Sequence, residues 1–193
     1  MMMCSRQIAM QYSAHCRVQR PMALLLLAIV AAIFMVPAQA QQASEYQVEA
    51  AYLYNFGKFT SWDDTPPQIT ICVLGRNPFD NALVNTVRGE QINGHAVTVK
   101  HVFSAAEASK CQIVFVSDSE RGNVGTVIGA LADRPVLTVS DMPNFVDRGG
   151  IVQFVQQDRR IRFVVNLDAA QRAHVRLSSE LLRVASGVRG GPK

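Results

Sequence analysis

Three short stretches constrain this chain most. Residues 68–74 (QITICVL), 111–117 (CQIVFVS) and 135–140 (PVLTVS) are nearly continuous runs of β-branched and aliphatic side chains. A strand wet on one face alternates polar and apolar residues, whereas a strand apolar throughout needs cover on both faces. Segments of helical pattern lie between them, one opened by Asn77-Pro78 and running to about Val87, another over residues 122–132. Residues 96–102 (AVTVKHV) alternate and read as a strand with one wetter face. This order predicts a mixed central sheet of mainly parallel strands covered by helices on both sides, a three-layer α/β sandwich.

The flanks differ from the middle. Residues 44–59 carry apolar side chains at Val48, Ala51, Tyr52, Phe56 and Phe59, a helical spacing, with Ser44 as the expected N-cap. After Gly149-Gly150, the runs IVQFVQ and RRIRFVVN flank Gln157-Asp158 and predict a hairpin that adds an antiparallel edge. Gln-Asp is not a favoured pair for a primed turn. A helical region over about residues 167–188 is expected to close the chain.

The first forty residues read differently again. Arg6, Arg17 and Arg20 precede an apolar run of 15 residues at 22–36, and Pro37 and Ala38-Gln39-Ala40 follow. A basic region, a short apolar run and an A-x-A site in that order describe a secretory leader. The run is short of the roughly 20 residues that a membrane span needs. Cleavage is expected after Ala40, which removes Cys4 and Cys16, leaves one domain over residues 41–193 in the periplasm, and leaves nothing to insert in the membrane. Met22 is an alternative start. All 15 acidic residues lie beyond position 40 and three of the 19 basic ones before it, so the mature chain carries a net charge near +1. Such a surface has no electrostatic drive toward nucleic acid or anionic lipid.

No nucleophile elbow, paired-histidine zinc motif or phosphate-binding loop occurs in the sequence. His95, His101 and His174 have no second ligand at metal spacing, and Asp63-Asp64 beside Thr65-Pro66-Pro67 reads as a turn. No catalytic residue, metal site or cofactor is predicted.

Two cysteines remain in the mature chain, Cys72 and Cys111, in strands that such a sheet sets side by side. Neighbouring strands lie about 4.8 Å apart, within disulfide reach. A bond between them is expected; the alternative is two separate buried thiols. Ligands of open α/β sheets bind beyond the carboxyl ends of the strands. Here those ends carry Arg76 and Asn77, Ser117 and Asp118, and Ser140 and Asp141, a candidate binding crevice. The alternative is that these residues cap the turns that follow.

The chain resembles the YfiR family of periplasmic regulators over about residues 46–188. The matching segments are VEAAYLYNFGKFTSW (48–62), ICVLGRNPF (71–79), KCQIVFVSDS (110–119), VLTVSDMPNF (136–145), GGIVQFV (149–155), IRFVVNLDAA (161–170) and LSSELLRVA (177–185). The resemblance implies a compact α/β sandwich. It also implies a non-enzymatic protein that represses an inner-membrane diguanylate cyclase by contacting its periplasmic domain, so lowering cyclic-di-GMP and biofilm formation. A sensor kinase is the other partner it allows, and a homodimer is an expected assembly. Cys72 and Cys111 match one family disulfide. A second cysteine pair of some members has no counterpart, since Phe145 and Val152 stand in that region.

A repressor without catalytic groups acts by binding one state of its target more tightly than another. Its surface should be exposed and partly apolar. Tyr46 and Tyr54 lie off the expected core face of the first helix, and Glu180, Leu182 and Arg183 lie in the last; these are the candidate interface. The competing reading is a periplasmic small-molecule-binding sensor module that uses the crevice.

Overall fold

The computed structural model describes residues 38–64 and 66–191. The chain separates into Met1–Gln41 and Gln42–Lys193. Only Ala38–Gln41 of the first unit is described, so the expected leader, Cys4, Cys16 and Met22 lie outside the described residues.

The elements are α1 (Ala38–Lys58), β1 (Thr60–Trp62), β2 (Gln68–Leu74), α2 (Ala82–Val87), β3 (Gln91–Ile92), β4 (His95–Val102), α3 (Ala105–Ala108), β5 (Ile113–Val116), α4 (Val124–Leu131), β6 (Leu137–Ser140), β7 (Val152–Gln157), β8 (Arg160–Asn166), α5 (Leu167–Arg172), β9 (Val175–Leu177), α6 (Ser179–Val184) and β10 (Gly187–Arg189). Single 3-10 turns follow β5 and β6, at Asp118–Glu120 and Val146–Arg148.

Eight strands form one mixed sheet in the order β10-β8-β7-β6-β5-β2-β4-β3. The pairs from β4 through β7 are parallel. The hairpin β7–β8 is antiparallel, and β10 runs parallel to β8 at the edge. The expected antiparallel hairpin is therefore present but does not end the sheet. β1 and β9 form a separate antiparallel pair, Thr60 to Trp62 against Leu177 to Val175.

The three predicted buried strands are β2, β5 and β6, and almost every side chain in them is buried. Successive side chains point to opposite faces, so both layers are fed from the same strands. Ile71, Val73, Phe115 and Val139 pack with Leu53 and Phe56 of α1 and Leu83 of α2 on one side. Cys72, Leu74, Val114 and Val116 pack with Ala108 of α3 and with Val127, Ile128 and Leu131 of α4 on the other. Phe56 is fully buried, with ring centroids 4.9 Å from Phe163 and 5.7 Å from Phe154. Gly57 lets α1 approach the sheet, since a Cβ there would lie 2.4 Å from Ile92 Cδ1.

Four local expectations need correction. Ser44 is inside α1 rather than capping it, because the helix-tolerant residues from Ala38 extend the helix backward. The hairpin turn is Asp158-Arg159, not Gln157-Asp158. Both turn residues have positive φ, 50° and 57°, as a two-residue primed turn requires. The closing helical region breaks into α5, β9, α6 and β10, with His174 at φ 53° just after α5. The buried face of α1 is Glu49, Ala50, Leu53, Tyr54 and Phe56, whereas Val48 and Phe59 are exposed.

Candidate functional site

Only parallel strands can place a row of loops at one end of a sheet. Here β4-β2-β5-β6-β7 does so. The chain crosses from β2 to β4 on one side, then returns to β5 on the other, so connections diverge between β2 and β5. Ligand crevices of open sheets open at such a divergence. In this chain it is filled. The Arg76 N–H donates to Ser119 Oγ at 2.8 Å, and Gly75 (φ 88°) leaves no room for a Cβ, which would lie 2.4 Å from that oxygen.

The predicted crevice residues divide accordingly. Asn77 closes its own turn, accepting from the Phe79 N–H at 3.0 Å. Ser117 caps the 3-10 turn by accepting from Ser119, and Asp118 is held by Arg121, whose Nε donates at 2.9 Å. Buried Ser140 donates to the Val116 carbonyl at 2.7 Å and accepts from the Met142 N–H at 3.0 Å. These side chains fasten loops to one another, as the capping alternative has it.

Asp141 is different. Its Oδ2 accepts from the Tyr46 hydroxyl at 3.2 Å, while Oδ1 is buried without a partner. Its charge acts on Glu49 of α1, which is 4 % exposed, with Oε2 buried and also without a hydrogen-bond partner. Burial, then the charges of Asp141 and Glu45, push the Glu49 carboxyl up to about 8. Burial likewise raises Asp141, opposed by the Tyr46 hydrogen bond. Burial and the charge of Asp141 push the Tyr46 phenol up to about 12. The Tyr46 ring meets Phe79 edge-on, centroids 5.6 Å apart. Glu49 was not anticipated, because an isolated acid within a helix reads as solvent-facing. The signal that would have found it is its place one turn before Leu53 on the line Glu49, Leu53, Phe56.

The proposed disulfide is formed. Cys72 in β2 bonds Cys111, two residues before β5, with Cα atoms 6.1 Å apart. It ties the two strands that flank the divergence.

The candidate interface residues are scattered. Tyr46 is half-buried in the acidic site. Tyr54, expected on the outer side of α1, is 9 % exposed, its hydroxyl within 2.7 Å of Glu90 Oε2 and 3.2 Å of the Gln91 carbonyl, so it belongs to the core. Glu180 and Arg183 are exposed and Leu182 is half-buried on α6. Backbone hydrogen bonds at the head of α6 hold the Glu180 carboxyl below its ordinary value. Val184, the last residue of α6, and Val188 of β10 are exposed apolar residues. Among the described residues no helix is long and apolar enough to cross a membrane, and no group of three His, Cys, Asp or Glu side chains is placed to hold a metal ion.

The model of the YfiR/HmsC-like family matches residues 46–186. The chain belongs to that family. Two solved structures share the fold at low identity. One is an ABC domain from Streptococcus pneumonia in complex with L-Trp, with TM-score 0.52 and 16% identity over 72% of this chain. The other is a conserved domain protein from Vibrio cholerae, with TM-score 0.52 and 11% identity over 72% of this chain. This YfiR/HmsC-like chain covers 60% of each of them.

Proposed function

We propose that the chain is a non-enzymatic periplasmic repressor of an inner-membrane signalling protein, first of all a diguanylate cyclase, and that it lowers cyclic-di-GMP. The observation that carries the reading is the family match over residues 46–186. The leader over residues 1–40 would export the chain, and cleavage after Ala40 would release it. The docking surface is the α6–β10 corner. There Val184, 61 % exposed, lies one helical turn from Glu180 and next to Arg183 at the end of α6, and exposed Val188 follows in β10. An apolar centre within a charged rim is the ordinary anatomy of a protein interface.

Capture from solubilised inner membrane, with exported protein as bait, tests this. A diguanylate cyclase or a sensor kinase with a periplasmic domain is the expected prey. Val184→Asp, an exposed substitution, should abolish capture and leave the melting temperature unchanged. Retained capture would move the interface elsewhere. A second reading, a small-molecule sensor, is supported by the unpartnered oxygens of Glu49 and Asp141 at the ligand-binding end of the sheet.

A further inference from the structure

Two buried carboxylate oxygens without partners are costly, and a buried charge is retained only where something compensates it. Glu49 Oε2 and Asp141 Oδ1 are two such atoms, and the charge of Asp141 acts on Glu49. The groups that bear on them are acidic: Glu45 and Glu49 from α1, Asp141 after β6, and Asp118 after β5. Among the described residues the cation that acts on Asp141 is Arg121, already ion-paired to Asp118. The region therefore attracts positive charge, and two of its acceptors are unused.

We propose that Glu49, Asp141 and Tyr46 bind a small organic cation carrying a primary ammonium group, seated beyond the carboxyl end of β6 against the middle of α1. The chemistry of the donor set argues for this class. An ammonium has three N–H donors and no acceptor, and the site offers Glu49 Oε2, Asp141 Oδ1 and the Tyr46 oxygen, whose own proton goes to Asp141. A metal ion is less well served, since no three ligating side chains converge among the described residues. The Tyr46 ring, which meets the buried Phe79 edge-on, gives the site one aromatic side. Binding moves one proton. Glu49 is neutral below about pH 8, and as the ammonium arrives its proton leaves to solvent, so carboxylate and ammonium meet as an ion pair. Affinity should then rise about tenfold per pH unit below that value. This inference stands apart from the repressor reading, since the amine can bind whatever the partner is.

The test uses 15N-labelled exported protein titrated with ethylammonium chloride, with benzylamine as a larger probe and with ethanol and sodium chloride as controls. Saturable shifts of the amides of Asp141, Met142 and Glu49 are expected with either amine and with neither control. Half-saturation should fall about tenfold between pH 6 and pH 7. Glu49→Gln, which keeps the side-chain shape, should weaken binding at least tenfold and flatten its pH dependence. No saturable shift with either amine, equal response to ethanol, or unchanged binding by a folded Glu49→Gln protein would overturn the proposal. Should that variant fail to fold, Tyr46→Phe and the pH slope of the wild type decide, and a flat slope refutes it. Cyclic-di-GMP output plays no part in this readout.

Discussion

The loops leaving β5 and β6 begin with the same dipeptide and use it in opposite ways. Ser117-Asp118 spends both side chains on its own turn, with the serine capping and the aspartate in an exposed pair with Arg121. Ser140-Asp141 buries its serine in two hydrogen bonds to neighbouring backbone and leaves the aspartate half-satisfied beneath α1. One loop satisfies its own side chains and the other leaves a buried acceptor without a hydrogen bond. Unfavourable polar burial tends to persist where function needs it. Identical residues thus meet different ends in the two loops.

The largest expected effect removes the support the two loops share. Cys72→Ala breaks a cross-link closing 39 residues, and chain entropy puts the loss at about 4 kcal/mol. Urea unfolding of variant and wild type without reductant measures it; a loss under 1 kcal/mol would mean the sheet holds the two strands unaided.

Glu49→Gln sharpens the contrast on the Asp141 side. The folded-state value of Glu49 lies above its ordinary 4.5, so folding takes up a proton, and stability is lost as pH rises from about 4.5 to about 8. The glutamine variant has no such loss. It should match the wild type near pH 4 and exceed it by roughly 3 kcal/mol at pH 7. A constant difference across that window would deny the burial.

The serines come next. Ser140→Ala should cost about 2 kcal/mol, because it strands the Met142 N–H and the Val116 carbonyl in the core. Ser117→Ala should cost about 1 kcal/mol, the ordinary value of a cap. Equal losses in thermal melts would erase the distinction between the loops. The smallest effect is expected from Asp118→Asn, under about 0.5 kcal/mol, since an exposed pair contributes little. Asp141→Asn, by contrast, should raise stability more at pH 7 than at pH 4, because burial raises that carboxyl.

How far the sequence carries this picture varies with the kind of signal. β2, β5 and β6 were legible because a strand covered on both faces has no alternation to misread. The disulfide followed from setting those strands side by side. Asp141 was one of six candidates that the rule about strand ends offered, and others of them cap or fasten loops. What failed depended on long-range partners. Val175–Leu177 reads as helix until Thr60–Trp62 is known to pair with it. The face of α1 was misplaced because Val48 and Phe59 outweighed Glu49 in a periodicity that assumes acids face water. The hairpin slipped by one residue because positive φ at Asp158 and Arg159 has no glycine to announce it. The acidic site was half-legible for the same reason: its strand-end residue was visible, and its helix residue contradicts the pattern.

The central claim, repression from the periplasm, is tested most directly by cyclic-di-GMP levels in three strains. One carries the full chain, one lacks it, and one carries residues 41–193 behind a start codon and without the leader. The account predicts a raised level in the second strain, returned to the first strain's level by the full chain and left high by the leaderless one. An unchanged level on deletion, or equal lowering by the leaderless chain, would contradict it.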